Sequence, residues 1–182
     1  MPSPLKTNLT LIGMPSAGKS TIGIILAKLL SMNFVDTDVI IQSRQEKSLQ
    51  DIIDESDYLN LRRIESAVVC SLDLHKHVIA TGGSVPYSDL AMHHLQAIST
   101  IVFLQVEYPE IVRRLHNFST RGLARKKNQT LEELFFERQA LYRKYADIIF
   151  PCNGLTQDEI AGQLARIFSQ QLSGCPDSSD HD

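Results

Sequence analysis

The 182-residue chain has no tryptophan, only three cysteines and no excess of positive charge. Each shortage excludes something. Cys70, Cys152 and Cys175 are odd in number and fit no CxxC or zinc spacing, so they are expected to be free thiols of a reducing compartment, with Cys70 in the core. The formal charge is −3, and Asp177, Asp180 and Asp182 near the end account for all of it. A neutral body lacks the basic face of a nucleic-acid binder. No apolar run approaches the length of a membrane span, and the opening MPSPLKTNLT lacks a signal core, so a cytoplasmic protein without membrane partners is expected. The histidine pairs His75/His77 and His93-His94 lack a carboxylate cluster at metal-ligand spacing.

What is present is an ordinary core: 43% apolar residues in a length that suits one domain. Residues 1–172 form that domain. Residues 173–182 (SGCPDSSDHD) are polar and acidic and are expected to be a disordered tail. Short apolar runs alternate with helical patterns. Strands are predicted at Leu9–Gly13, Asn33–Val35, His77–Ala80, Thr100–Gln105 and Ile148–Phe150. Helices are predicted at Ser20–Leu30, Val39–Ser43, Ser48–Glu55, Tyr58–Leu74, Pro109–Leu115, Leu131–Tyr145 and Gln157–Leu172. The pattern assigns no element between Ser84 and Thr100. Alternation of this kind predicts an α/β fold, a three-layer α/β/α sandwich on a five-stranded parallel sheet. Ligands of such sheets bind beyond the carboxyl ends of the strands.

Gly13-Met14-Pro15-Ser16-Ala17-Gly18-Lys19-Ser20 matches G-x-x-x-x-G-K-[ST] between a strand and a helix. Glycines let the backbone curl until successive N–H groups face one point, at the positive end of a helix. Lys19 can then reach the β- and γ-phosphates of a nucleotide, and the Ser20 hydroxyl can ligate Mg²⁺. ATP and Mg²⁺ are therefore the expected cofactors, and phosphoryl transfer to a small molecule is the expected reaction.

Other residues allow two readings each. Asp36 and Asp38, two apart in an extended segment, would face the phosphate site together; equally, they suit the cap of the helix that follows. Arg138 lies on the apolar stripe of its helix, at i+4 from Leu134 and i−3 from Leu141. A buried guanidinium needs either an acidic side chain or an anionic ligand. Arg62 could bind an anion, while Arg63 is solvated or paired. Gly82-Gly83 is either a plain turn or a place where a ligand approaches the backbone. The basic stretch from 117 to 130, with Arg121, Arg125, Lys126 and Lys127, is either a lid or a solvated loop.

Taken in order, GMPSAGKSTIG, VDTD, LRRIES, ATGGS, STRGLA and ERQALYRKYAD resemble the shikimate kinase family of P-loop NTPase-type proteins, from about Asn8 to Phe168. The resemblance implies that the loop Gly13 to Ser20 and Thr21 hold ATP phosphates, that Ser20 ligates Mg²⁺, and that Asp36 holds it through water. It makes Lys19, Asp38 and Arg121 the catalytic set, with Asp38 as candidate base and Arg121 swinging onto the phosphates. It places Arg114 and Asn153 beside the adenine. It gives the acceptor, shikimate, to Asp38, Arg62, Gly82, Gly83 and Arg138, the two arginines clamping its carboxylate. The product would be shikimate 3-phosphate, made in aromatic amino-acid synthesis; short size and a self-contained core favour a monomer. The sequence departs from the family at Ser84 and Ser16, where glycine is usual, at Gly122-Leu123-Ala124 in place of Pro-Leu-Leu, and at Leu61 in place of phenylalanine. Those departures leave open a gluconate-like hydroxy acid as acceptor, or a nucleotide-binding module without turnover.

Overall fold

Five short strands, each followed by enough chain to cross back over the sheet, pair in parallel in the order β2-β3-β1-β4-β5. In the computed structural model, which describes residues 6–115 and 123–173, these are β1 (Asn8–Ile12), β2 (Asn33–Asp36), β3 (His77–Ala80), β4 (Ser99–Gln105) and β5 (Ile148–Pro151). Residues 116–122, which include Arg121 and the first part of the expected lid, and the tail from 174 onward lie outside the described residues.

β1 is central, with Leu9 opposite Val78 on one side and Thr100 on the other. All five of its residues are buried although alternate side chains point to opposite faces. Both faces of the sheet are therefore covered, as expected of a parallel sheet. Helix α1 (Lys19–Leu30) lies against β1, β2 and β3 and packs on the closing helix α8 (Gln157–Ser173). Helix α4 (Tyr58–Cys70) packs on α5 (Asp89–Ile98), which in turn touches β4. Helices α2 (Thr37–Gln45) and α3 (Leu49–Glu55) rest on α4. They enclose a small second core of Ile41, Ile52, Leu61 and Val68, which Ala124 also joins. Helix α6 (Tyr108–Arg114) follows β4, and α7 (Leu131–Tyr145) precedes β5.

Local chemistry fixes the ends of these helices. Ser48 with Asp51 and Thr130 with Glu133 form capping boxes that open α3 and α7. Three expectations change. The segment after Asp36 is helical from Thr37, not extended, so the premise that placed both aspartates on one side of a strand does not hold. Helix α4 stops at Cys70 rather than continuing to Leu74, because the N–H of Ser71 turns back onto carbonyls of the last turn and its hydroxyl donates to Val68 O. Helix α5 stands where no element was predicted. Ser88 caps it, and Ala91, Met92 and Leu95 carry its buried face. Among the described residues no helix is long and apolar enough to cross a membrane.

Candidate active site

The chain reverses its order across the sheet at β1, and the carboxyl ends of β1, β2 and β3 open onto one cavity of about 400 Å³. Its walls come from the turn before α1, from α2, α4 and α7, from the turn after β3, and from the chain around Ala124.

The turn between β1 and α1 carries three positive φ angles, at Gly13, Ser16 and Gly18 (147°, 66° and 98°). Gly18 is the N-cap of α1 and uses no side chain to close it, so the first N–H groups of the helix are left to face the cavity. Ser16 holds a left-handed conformation that glycine adopts at least strain, which gives a physical reason for the glycine usual there. Met14 and Ala17 are buried and pin the turn from beneath, while Pro15, Ser20 and Thr21 line the cavity. The Lys19 ammonium donates to Gly13 O and Met14 O, both at 2.9 Å. Burial lowers its pKa to about 8, against the opposing pull of Asp38 and Asp36.

Asp36 caps the helix and stands beside the phosphate-binding turn at the same time. Its Oδ1 accepts from the N–H of Asp38 at 2.9 Å and so caps α2. Its Oδ2 accepts from the Ser20 hydroxyl at 2.6 Å. One hydroxyl and one carboxylate, both hard oxygen donors, thus stand together beside the phosphate-binding turn. That pair suits a Mg²⁺ that keeps several water and phosphate oxygens. Among the described residues no cluster of three or more His, Cys, Asp or Glu side chains makes a self-sufficient metal cage.

Asp38 reaches the cavity from the first turn of α2, and its Oδ1 is buried without a hydrogen-bond partner among the described residues. Burial raises its pKa to about 6, partly offset by Lys19. Arg138 is the largest fully buried side chain, at 1% exposure. Of the two partners the sequence allowed, the internal acid is not found: among the described residues the ion pairs involve Lys6, Lys47, Arg113, Arg114 and Lys144, not Arg138 or Arg62. Both guanidiniums instead donate to one acceptor, the backbone carbonyl of Ala124, at 2.9 Å from Arg138 and 3.3 Å from Arg62. The Nε groups of both arginines are buried and have no partner among the described residues. Arg63 is exposed and donates to Asn60 Oδ1, as the solvated reading had it.

Gly82 and Gly83 divide their roles. The Gly82 N–H donates to the Thr37 hydroxyl at 3.1 Å, so it is engaged within the fold rather than offered to a ligand. A side chain at Gly82 would meet Glu65 Oε1 at 2.2 Å and Asp38 Oδ1 at 2.8 Å from its first carbon. The glycine is therefore needed to let two carboxylates converge over its backbone. Gly83 lines the cavity, and its carbonyl accepts from the Tyr142 hydroxyl at 2.7 Å, which ties α7 to the turn. On the far side of the phosphate turn, Arg114 donates to Ser16 O at 3.4 Å. Arg114 and Asn153 line a second hollow together, of about 580 Å³.

Sequence reasoning passed over Glu65 as a site residue. It is buried at 3% exposure, lines the cavity and accepts from the Ser84 hydroxyl. The signal was available: Glu65 lies at i+4 from Leu61 and i−3 from Val68, on the buried stripe of α4, as Arg138 does on α7. Burial, then the neighbouring Asp38, raise its pKa to about 7; Ser84 and the two arginines oppose this. An acid whose folded pKa exceeds its unfolded value near 4.5 stabilises the fold at low pH and loses that contribution as pH rises through about 7. Glu65→Gln should therefore melt higher than the parent at pH 8. The gap should narrow below pH 7 and close near pH 4.5. A variant that melts lower at pH 8 would mean that the arginines depend on the ionised carboxylate.

Comparison with known proteins identifies the family. A structure of shikimate kinase from Acinetobacter baumannii in complex with shikimate superposes with a TM-score of 0.82 at 25% identity, covering 91% of this chain and 94% of that one. A thymidylate kinase from Candida albicans, 16% identical with a TM-score of 0.60, shares the fold alone. Among curated proteins, the shikimate kinase of Clostridium botulinum strain Eklund 17B is 33% identical over 165 residues, covering 90% of this chain and 98% of the relative. That of Xylella fastidiosa strain M23 is 34% identical over 160 residues, covering 86% and 89%. The sequence profile of shikimate kinases matches residues 15–168. A family match over most of its length and relatives a third identical over nearly all of it show that the chain belongs to the shikimate kinase family.

Proposed function

We propose that the chain transfers the γ-phosphoryl group of ATP to the 3-hydroxyl of shikimate. The observation that carries this reading is the paired guanidiniums of Arg62 and Arg138. Arg138 lines the phosphate-binding cavity and Arg62 the adjoining hollow that shares Ser84 with it, and both donate to one backbone carbonyl rather than to an acid among the described residues. An acceptor bearing a carboxylate gives two arginines a reason to be kept there.

In this reading the N–H groups of the turn and the start of α1 hold the phosphates, with Lys19 across the β- and γ-groups. Ser20 and, through water, Asp36 hold Mg²⁺, which when bound neutralises charge on the phosphate oxygens. Arg114 and Asn153 flank the adenine, and Arg121 contacts the transferring group. Asp38 Oδ1 orients the acceptor hydroxyl and takes its proton. With a pKa of about 6, Asp38 is mostly ionised at neutral pH, as a base must be. The acceptor oxygen forms its bond to the γ-phosphorus as the bond to the β,γ-bridging oxygen breaks. The products are shikimate 3-phosphate, ADP and a proton. Positioning and electrostatics, rather than covalent catalysis, supply the rate. We place the enzyme in the cytoplasm as a monomer acting on small molecules; its free Cys70 and Cys152 suit a reducing compartment.

The deciding experiment measures ADP release from Mg·ATP with and without shikimate, in the parent and in Asp38→Asn. Shikimate should stimulate the parent strongly. The variant should lose on the order of 10²-fold or more of that stimulation while binding ATP normally. ADP release that ignores shikimate would sink the proposal.

A further inference from the structure

We propose that Tyr87 is a positioning residue that holds the Arg62 guanidinium ready for an acceptor carboxylate without neutralising it. Tyr87 lies in the 3-10 turn Val85–Tyr87 that follows Gly82, Gly83 and Ser84. The guanidinium carbon of Arg62 lies 3.4 Å from the centre of its ring, and that of Arg138 lies 5.7 Å from the same ring. Tyr58, from the first turn of α4, sits 5.0 Å from Arg62.

An aromatic face attracts a cation through its quadrupole and takes up none of its N–H donors. Those donors lie in the guanidinium plane, at its edge, where a carboxylate engages them in pairs. A carboxylate side chain in the same place would fill the edge and compete with any acid that arrived. The structure engages two such acids elsewhere, and Glu65 is held by the Ser84 hydroxyl. Glu137 immediately precedes Arg138 on α7, yet it is engaged elsewhere. Its Oε1 accepts from the Tyr87 hydroxyl, and its Oε2 accepts from Gln129 Nε2 at 2.7 Å. Tyr87 therefore carries Arg62 on its face, while its hydroxyl is one of two donors that engage Glu137. The chemistry it serves is selection of an anionic acceptor over a neutral polyol. The inference rests on the reading that Arg62 binds the acceptor carboxylate.

The test compares Tyr87→Leu, Tyr87→Met and Tyr87→Phe with the parent, by steady-state ADP release with shikimate and ATP varied separately. Loss of the aromatic face in the Leu and Met variants should raise the shikimate KM about 10-fold, with the ATP KM within about twofold and the melting temperature little changed. The Phe variant, which keeps the face, should retain a shikimate KM within about threefold of the parent. Two non-aromatic replacements guard against one that fails to fold. An unchanged shikimate KM without the ring, equal rises in both KM values, or a Phe variant as impaired as Leu would each overturn the role of Tyr87. A parent that ignores shikimate overturns the reading of the site itself, and the role of Tyr87 with it.

Discussion

Lys19→Ala should abolish measurable phosphoryl transfer, with kcat reduced on the order of 10³-fold or more. The expectation comes from where the ammonium is held. Its three N–H donors suffice for the two carbonyls of its own turn and for an anion besides. It is buried, so its charge acts through little water and is worth more than a surface lysine's. Burial has already lowered its pKa to about 8, and phosphate oxygens beside it would draw that value up again, so nucleotide binding and protonation reinforce each other. Removing the side chain leaves two carbonyls short of a donor but also relieves a buried charge, so the fold should survive. Circular dichroism and a melting curve serve as the controls, and steady-state ADP release as the readout. Near-parent activity in a folded Lys19→Ala would remove the phosphate-binding role of this turn from the argument.

Arg138→Ala should separate the two substrates. The acceptor KM should rise about 10- to 100-fold, the range expected for losing one charge-assisted paired contact, while ATP binding stays close to the parent's. Titration calorimetry with ATP and with shikimate measures the two effects independently. The structure bounds the collateral damage. Ala124 O keeps Arg62 as a donor, and Tyr142 still holds Gly83 O. Arg138→Lys is an informative companion, because it retains the charge without the planar fork; its acceptor KM should fall between the parent and the alanine variant. A protein that unfolds on losing Arg138 would instead identify the arginine as structural cement for the chain around Ala124.

Much of this architecture was readable in advance because it is local. The phosphate turn is a contiguous string whose conformation follows from its glycines. Helix α7 was bounded correctly at Leu131–Tyr145, since a capping box opens it and its apolar period continues to its last residue. Arg138 stood out for the same reason, being a charge on an apolar stripe. Helix α5 escaped notice: its His93-His94 pair interrupts the apolar pattern. Glu65 carries the same signal on α4, a charge on the buried stripe of its helix, and so was legible in the sequence too. The partnership of Asp36 with both Ser20 and the α2 cap could be read only as alternatives, since a sequence pattern does not show that one carboxylate has two oxygens in use. The Ala124 carbonyl and the ring of Tyr87 were beyond reach. Every residue has a backbone carbonyl, and the bond from Arg62 to Ala124 spans 62 positions of sequence.

That carbonyl has a consequence for how affinity is to be understood. A single oxygen shared by two guanidiniums imitates one half of a carboxylate, and Ala124 delivers it from a segment anchored in the second core. The protein thus carries a weak ligand of its own for the arginines. An acid that takes the donors now given to Ala124 does so in exchange for this internal contact, not simply in exchange for water. Its measured dissociation constant is then a difference between two associations, one with the visitor and one with the chain itself. Substitutions that loosen Ala124 from Ile41, Ile52, Leu61 and Val68 would weaken the resident and so tighten the visitor, without touching a single atom that the visitor meets.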